Sequence, residues 1–367
     1  MFNFLEQKIF GLDLSDLSVK IAQLKKGAGG IFLASYGKRD IPAGVLENGV
    51  IKNEGSLQEI IKIACREIKG ARLKTKYCVV SLPETEAFVR VVQLPQMKKE
   101  ELAEAIKWET ESHIPLSIDE VYFDWQVIKP LKEDEMHCDV LVGALSKTLV
   151  DPYLSALKKA GLRPVAFEIE SIATARSLIK NEFSAQPIMI VDVGARRSSF
   201  IIFSGRTIHF TASVPIANEY FVDEISKRLS ISKEEAKKIK FEYGLSQEKG
   251  ILEALRPALL ELVSHIRKYI DFYREHGLPG HFENKEISKV LLCGGGASFS
   301  GFSAFLAKEL KIDVEIGNPW VNILGKTPYK IPNLAYEQSI GYATALGLAL
   351  RGLEMSETSN LTNFEKC

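Results

Sequence analysis

The sequence is short of three things: an excess of one charge, pairs of cysteines and long hydrophobic runs. Its 47 lysines and arginines are matched by 47 aspartates and glutamates, so the formal net charge is +0. Proteins that bind nucleic acid or an anionic membrane use a basic excess, and we therefore expect neither to be bound directly. The 5 cysteines form no C-x-x-C spacing, which argues against a zinc or redox motif and predicts the reduced thiols of a cytosolic protein.

No stretch of the sequence is typical of a membrane helix or a secretion signal. A membrane helix needs about 20 apolar residues, whereas the uncharged stretch from Gln338 to Leu350 is shorter and is interrupted by Gly341 and Gly347. The first residues, Met1 to Lys8, lack a basic region followed by a long apolar one. We therefore expect a cytoplasmic protein that associates with a membrane only through partners.

The composition is typical of a globular protein, with 46% hydrophobic and 26% charged residues over a length of 367. At about 150 residues per domain, this length predicts two or three folding units. The 6 histidines are dispersed along the chain and show no metal-ligand spacing. A histidine-based metal centre is therefore not predicted.

The most informative feature is an internal repeat, in which an apolar strand ends in aspartate and is followed by a turn and further strands. The first copy ends at Asp13 and the second at Asp192. An aspartate beside the amides of a turn can hold phosphate and hydrated Mg²⁺, although a single copy would also suit an Asx-turn. Two copies predict two related α/β halves. The predicted strands are Ile9–Asp13, Val19–Leu24, Ile31–Tyr36 and the buried-type strand Tyr77–Pro83, then Met189–Gly194, Ser199–Phe203 and Thr207–Ala212.

A triple-glycine turn, Gly294 to Gly296, follows the predicted strand Val290–Cys293 and precedes a predicted helix at Gly301–Leu310. Without a Cβ atom the backbone can approach a nucleotide closely, and the start of a helix supplies free N–H groups. The same residues would also suit a turn that needs positive φ, so both interpretations stay open at this point.

Between the two halves lies a block with the order strand, helix, strand, strand, helix, which predicts a small inserted α+β unit. Its elements are Phe88–Leu94, Lys98–Glu111 (stopped by His113-Ile114-Pro115), Val121–Val127, Cys138–Leu145 beyond a charged loop at 129–135, and Asp151–Ala160. Further helices are predicted at Ser56–Lys69, Ala217–Tyr243, Ile251–Arg274 and Ser339–Leu350.

Together these motifs resemble the actin-like ATPase superfamily and, within it, the PilM family of type IV pilus assembly proteins. Five segments carry the resemblance: Gly11–Lys20 (first phosphate loop), Glu170–Ala175 (first connector), Asp192–Ser198 (second phosphate loop), Leu292–Ala297 (adenosine loop) and Gly341–Gly347 (closing connector). The inserted block resembles the small subdomain that this family shares with the cell-division protein FtsA.

The resemblance implies an α/β fold of two actin-like (ribonuclease H-like) lobes with a nucleotide between them. The implied divisions are 1–83 for the first lobe, 84–164 for the inserted α+β subdomain, 165–186 for the first connector, 187–334 for the second lobe with a helical subdomain at about 220–284, 335–352 for the closing connector helix and 353–367 for a polar tail.

The resemblance also implies ATP and Mg²⁺ as cofactors. Asp13 and Asp192 would hold Mg²⁺ through water, and Glu170 would orient the attacking water, although Glu170 also suits an ordinary helix N-cap. The implied phosphate-binding residues are Asp13, Ser15, Asp16, Leu17, Ser18, Lys20, Asp192, Gly194, Ala195, Arg196 and Arg197, and the implied adenosine-binding residues are Lys237, Lys240, Gly294, Gly295, Gly296 and Ala297.

Two loops depart from the pattern of the family. Ser15 stands where the first loop usually has glycine, which adds a Cβ atom where the backbone meets phosphate. The segment 215–218 stands where a Gly-Gly pair usually follows. We therefore expect a weak ATPase at most, and a scaffold first.

Membership of this family implies binding to the N-terminal tail of PilN, an inner-membrane protein, at the inner face of the cytoplasmic membrane. The tail would lie extended in a groove around the inserted subdomain and add hydrogen bonds along an exposed strand edge. It would link the chain to other inner-membrane pilus assembly components and to the motor ATPases; self-association is left open.

Three alternatives stay open. The first is an FtsA-like cell-division protein, although residues 356–367 have no amphipathic membrane helix of the kind such proteins carry. The second is a sugar or acid kinase of the same superfamily, for which this chain is short. The third is an actin-fold scaffold that has lost nucleotide binding.

Overall fold

The computed structural model describes residues 8–114, 116–128, 137–247, 249–277, 285–324 and 332–357. Predictions that involve Pro115, the loop at 129–135 and the tail beyond residue 357 lie outside these ranges. The strands are β1 (Phe10–Ser15), β2 (Ser18–Gly27), β3 (Gly30–Asp40), β4 (Leu46–Glu47), β5 (Val50–Ile51), β6 (Lys69–Gly70), β7 (Tyr77–Leu82), β8 (Phe88–Pro95), β9 (Val121–Val127), β10 (His137–Ser146), β11 (Arg163–Ile169), β12 (Ser184–Val193), β13 (Ser198–Gly205), β14 (Thr207–Val214), β15 (Lys289–Cys293) and β16 (Asp313–Ile316).

The α-helices connect and cover these strands. They are α1 (Glu54–Arg66), α2 (Lys99–His113), α3 (Lys147–Lys159), α4 (Glu170–Leu178), α5 (Asn218–Leu229), α6 (Lys233–Tyr243), α7 (Ile251–His276), α8 (Phe302–Leu310), α9 (Tyr336–Ser339) and α10 (Ala343–Glu357), and short 3-10 helices lie at Glu84–Glu86, Ile118–Glu120, Lys180–Glu182 and Ile340–Tyr342. None of the helices in the described ranges has the length and apolar character needed to cross a bilayer.

The first large sheet has the strand order β11-β7-β1-β2-β3-β6. β1 runs antiparallel to β2 and parallel to β7, and the hairpin register places Asp13 opposite Lys20. β1 is almost wholly buried, because α1 and α3 pack on one side of the sheet and α10 on the other. The end of β1 therefore projects its polar residues from a rigid, buried strand.

The second large sheet repeats the arrangement of the first. Its order is β14-β13-β12-β15-β16, with β12 antiparallel to β13 and parallel to β15. The first sheet, taken in the same direction, has β3-β2-β1-β7-β11 with the same strand polarities. The predicted internal repeat is therefore confirmed, and Asp13 and Asp192 lie near the ends of equivalent central strands.

A third sheet of three strands, in the order β8-β10-β9, is separate from the two large ones. Val92 and Leu94 of β8, Val140 of β10, and Leu102 and Ile106 of α2 form its own hydrophobic cluster. β8 also contacts β14 of the second sheet, whereas β9 has β10 as its one strand neighbour among the described residues. β8 and β9 are thus the edge strands of this sheet, and within the described ranges the outer edge of β9 has no neighbouring strand.

The helices α4 and α10 pack against each other between the two large sheets. Their contact requires Gly347, because a Cβ atom there would overlap the carbonyl oxygen of Ala173. Gly11 has the same role on β1, where a Cβ atom would overlap the backbone of α10 at Ala345. The buried carboxylate of Glu168 accepts hydrogen bonds from Arg176 of α4 and Arg351 of α10. We call this packed region of α4 and α10, between the two large sheets, the joint.

Several predicted boundaries differ from the structure. The helix predicted to end at Lys69 ends at Arg66, because residues 69–70 pair with β3 as β6. The predicted polar tail is helical as far as Glu357, as the continuation of α10. The helix predicted from Asp151 begins at Lys147, where the hydroxyl of Ser146 accepts a hydrogen bond from the amide of Leu149. β11 and β16 were not predicted.

Candidate functional site

A polar cleft lies where the two large sheets face each other. Its walls are the β1–β2 turn, the β4–β5 turn, and the segments 83–85, 194–197 and 294–296. The residues at the joint, Ile340 to Thr344, form part of its floor. Because the equivalent strands β1 and β12 both end here, each lobe contributes one aspartate to the same space.

In the first lobe, Asp13 and Lys20 form a part-buried ion pair, with 3.0 Å between Lys20 Nζ and Asp13 Oδ2. The second carboxylate oxygen, Oδ1, accepts a hydrogen bond from the hydroxyl of Ser81 at 3.2 Å. Ser81 Oγ in turn accepts a hydrogen bond from the amide of Leu14 at 2.8 Å. Asp13 is therefore held in one orientation at the mouth of β1, and Lys20 places a positive charge beside it.

The electrostatics of the cleft connect the two lobes. Burial alone would lower the pKa of Lys20, but the carboxylates of Asp13, Asp192 and Glu170 outweigh burial and raise it. Conversely, burial raises the pKa of Glu170 well above the usual carboxyl value, and Asp13, Asp192 and Glu84 add to the shift. The charge of Lys20 thus depends on carboxylates from both lobes, Asp13 from the first and Asp192 from the second.

Asp192 gives a testable consequence of this charge balance. Burial, with the neighbouring Asp13, raises its pKa from 3.8 to about 6, although Lys20 opposes the shift. The folded state therefore keeps the Asp192 proton more tightly than the unfolded state, so that stability is lost as the pH rises from about 4 to 6. We expect Asp192→Asn to raise the melting temperature of the unliganded protein at pH 7.5.

The measurement is thermal unfolding of both proteins at pH 7.5 and at pH 4. The difference in melting temperature should vanish at pH 4. At that pH Asp192 of the wild type is protonated in the folded state, so no buried negative charge destabilises it. An equal difference at both pH values would mean that the charge of Asp192 does not destabilise the fold.

The glycine turn fits closely against Asp192. Gly294 has φ of +86°, and a Cβ atom there would overlap Asp192 Oδ1 and the carbonyl oxygen of Val193. A Cβ atom at Gly296 would meet Val193 as well, whereas one at Gly295 would meet no atom within 4 Å. Gly294 and Gly296 therefore pack against β12, and Gly295 faces the open cleft. The turn uses positive φ at Gly294 and also lines the cleft, and its approach to a nucleotide stays a prediction.

The second loop of the repeat, 194–197, is closed by its own backbone: the amide of Gly194 donates to the carbonyl of Arg197 at 3.0 Å. The guanidinium of Arg197 donates from Nε to Ser213 Oγ at 2.9 Å, which orients it along β14. Arg196 pairs with Glu219 at 3.5 Å. Both arginines line the cleft, and each already has a partner in the protein.

The structure brings most of the predicted site residues together. Asp13, Ser15, Asp16, Ser18, Lys20, Glu170, Asp192, Gly194, Ala195, Arg196, Arg197, Gly294, Gly295 and Gly296 all line the cleft. Asp16, however, uses both carboxylate oxygens to accept the amides of Asn48 and Gly49, at 3.0 and 2.9 Å. Ser15 Oγ donates to the carbonyl of Ser18 at 3.1 Å. These two side chains shape the first loop.

Four predicted site residues do not line the cleft: Leu17, Lys237, Lys240 and Ala297. Lys237 is exposed on α6. Lys240 is buried, with its Nζ atom 4.3 Å from the ring centroid of Phe299, and burial lowers its pKa to about 8. Lys240 thus packs against Phe299, three residues beyond the glycine turn, and does not line the cleft.

Sequence reasoning missed Ser81, which orients Asp13, and parts of the cleft lining that include the Asn48–Gly49 turn and Glu84. The Asn-Gly dipeptide is a recognisable turn signal, but nothing local connects it to the β1–β2 turn. Ser81 lies 68 positions from Asp13 along the chain and reaches it only because β7 pairs with β1. Glu84 is buried and lines the cleft directly after β7.

The chain is similar over nearly its whole length to one protein family. The family model described as Type IV pilus assembly protein PilM matches residues 11–353. Among solved structures, the PilM-PilN type IV pilus biogenesis complex aligns with a TM-score of 0.78 and 27% identity, covering 95% of this chain and 99% of that chain.

More distant similarities concern the fold. MreB5 of Spiroplasma citri bound to AMPPNP aligns with a TM-score of 0.51 and 15% identity over 98% of both chains. The cell division protein FtsA of Pseudomonas aeruginosa is 22% identical over 216 residues, which are 54% of this chain and 50% of that protein. The chain spans about half the length of the curated relatives it matches. The predicted fold class, that of actin-like ATPases, is confirmed.

Proposed function

This chain belongs to the family of the type IV pilus assembly protein PilM, and from this membership we propose that it is a nucleotide-binding scaffold for the N-terminal tail of the inner-membrane protein PilN. Its role lies in pilus assembly. The tail would hold it at the inner face of the cytoplasmic membrane and link it to other assembly components and to the motor ATPases.

The observation that carries nucleotide binding is the meeting of Asp13 and Asp192, one from each lobe, around Lys20 in a single cleft. The glycine turn beside them leaves Gly295 open to a ligand. No group of three acidic, histidine or cysteine side chains in the described ranges is placed to ligate a metal. The two carboxylates of Asp13 and Asp192 fit a hydrated Mg²⁺, since that ion keeps several of its waters. When bound, Mg²⁺ would neutralise charge on the phosphates.

Slow hydrolysis follows from the state of Glu170. Burial and the neighbouring carboxylates raise its pKa well above the usual value, so Glu170 holds its proton more tightly than an exposed glutamate does. A protonated carboxyl group donates a hydrogen bond and is a poor acceptor for the proton of an attacking water. We infer that ATP organises the cleft and is turned over slowly, if at all.

Calorimetric titration of ATP with Mg²⁺ tests the nucleotide proposal. We expect the wild type to bind ATP in the micromolar range, roughly −8 kcal/mol. The affinity of Asp192→Asn should be weaker by about tenfold or more. Because this variant should be the more stable of the two without ligand, weaker binding cannot be ascribed to unfolding. Absence of binding to the wild type would leave a scaffold that has lost nucleotide binding, the third alternative above.

The free edge of β9 is the place we propose for the PilN tail. An extended peptide can add a strand to such an edge. Side chains at both ends of β9 are open to a ligand: Tyr122 is 47% exposed and Val127 is 42% exposed. Tyr122 is already oriented, because its hydroxyl donates to Asp151 at 3.0 Å.

We expect Tyr122→Ala to weaken binding of a synthetic PilN tail peptide by about tenfold, the loss expected for one aromatic contact of ~1.4 kcal/mol. Fluorescence anisotropy with the labelled peptide measures this loss. The control is Tyr336→Ala, since Tyr336 is 43% exposed and lies far along the chain, beside the joint. Equal affinity of the two variants would place the peptide elsewhere.

A further inference from the structure

Glu84 is a buried carboxylate for which the proposed function has no role. It begins the 3-10 helix Glu84–Glu86, which connects β7 of the first lobe to β8 of the three-stranded sheet. Its side chain lines the cleft and is only 6% exposed. The next carboxylate in the same turn, Glu86, is exposed, so burial is particular to Glu84.

The surroundings of Glu84 come from three separate parts of the molecule. Ser171, at the start of α4, and Thr211, on β14 of the second lobe, both lie beside its carboxylate and act against the rise in pKa that burial causes. The start of α4 has no side-chain cap of its own, since its N-cap residue is Ile169. A carboxylate beside free amides at a helix N-terminus is favourable.

The contacts of Glu84 are incomplete in this structure. Neither Glu84 Oε2 nor Ser171 Oγ has a hydrogen-bond partner among the described residues. A buried polar atom without a partner is costly, so a small movement that completes these hydrogen bonds lowers the free energy. Completing them would draw α4 and β14 closer to the Glu84–Glu86 turn, because Ser171 belongs to α4 and Thr211 to β14, and β14 contacts both β8 and that turn.

We propose that Glu84 is a positioning residue that latches α4 and β14 to the start of β8, so that a nucleotide in the cleft and a peptide on the three-stranded sheet change each other's affinity. This coupling rests on the proposed function. Glu170, the first residue of α4, adjoins Ser171, so the latch also fixes the direction from which Glu170 faces the cleft.

The test is a thermodynamic cycle on the full chain. The affinity of the PilN tail peptide is measured with and without saturating Mg²⁺ and AMPPNP, for wild type, Glu84→Gln and Glu86→Gln. We expect the nucleotide to change the peptide affinity of the wild type by about fivefold or more, as in typical coupled sites. In Glu84→Gln this ratio should fall below about twofold while both ligands still bind, and Glu86→Gln should behave as wild type.

A ratio in Glu84→Gln equal to that of the wild type would overturn the latch, and so would a wild type that binds both ligands without coupling. If the wild type binds neither ligand, the proposed function fails, and hydrogen exchange of the unliganded protein decides about Glu84 separately. Glu84→Ala should then speed exchange about tenfold at both Ser171–Thr174 and Phe88–Val91. Faster exchange at one segment alone, or at neither, would contradict the latch.

Discussion

Replacing Glu168 by alanine is expected to lower the free energy of unfolding by about 3–5 kcal/mol, the cost of leaving buried charges without a partner. The side chain of Glu168 is only 1% exposed. Its carboxylate accepts two hydrogen bonds from Arg176, at 2.6 and 2.8 Å, and one from Arg351 at 2.7 Å. The loss is large because alanine would remove the acceptor that both guanidinium groups share, leaving Arg176 with the more distant Glu182 at 3.7 Å.

The pH dependence of this stabilisation has a definite sign. Burial would raise the pKa of Glu168, but Arg176 and Arg351 outweigh it and lower the pKa below the usual value. A lowered carboxyl pKa contributes stability at neutral pH that is lost as the pH falls below the usual carboxyl range. The difference between wild type and Glu168→Ala should therefore shrink in acid.

Urea unfolding followed by circular dichroism measures the effect of Glu168→Ala. The matched control is Glu315→Ala, because Glu315 is 56% exposed and pairs with the half-exposed Lys289 at 3.0 Å. An exposed pair of this kind is worth about 0–1 kcal/mol. If both variants lose the same small amount, the joint does not depend on its buried ion pairs.

Gly295→Val is expected to weaken ATP binding by about a hundredfold, or ~2.8 kcal/mol, without loss of stability. A Cβ atom at Gly295 meets no protein atom within 4 Å, and the residue lines the cleft. The valine side chain would therefore occupy the space where the nucleotide must lie. Calorimetric titration measures the affinity, and thermal unfolding measures the stability of the same samples.

Two other glycine substitutions serve as comparisons for this prediction. Gly55→Val, near the start of α1 and outside the cleft lining, places its Cβ atom 3.8 Å from Asn53 and should leave ATP binding unchanged. Gly294→Val should unfold the loop, because Gly294 has positive φ and abuts Asp192. If Gly295→Val bound ATP with the affinity of the wild type, ATP would not occupy the cleft beside Gly295.

Local patterns were sufficient to predict the two halves of the cleft. The strands that end near Asp13 and Asp192 each contain a buried apolar run before the aspartate, and the glycine turn carries its own signal, so neighbouring residues indicate these elements. β11 gives no such signal: it contains Pro164 and a bulge at that point, and it is held in the sheet by pairing with β7. Its formation depends on partners that lie far away in sequence.

The side-chain roles in the site were harder to predict than its position. Asp16 looked like a phosphate ligand because of its place in the loop, but its carboxylate serves the Asn48–Gly49 turn. Lys240 is buried against Phe299. Glu84 depends on the contact of β14 with the Glu84–Glu86 turn. Each of these depends on tertiary contacts between segments that no local pattern connects.

The placement of Asp13 and Asp192 on equivalent strands of two separate sheets has a geometrical consequence. Neither lobe carries both aspartates, so the distance between Asp13 and Asp192 depends on how the two lobes are oriented. The helices between the two sheets are tied together by the contacts of Glu168 with Arg176 and Arg351. A ligand that touches both aspartates would therefore be sensitive to the angle between the lobes.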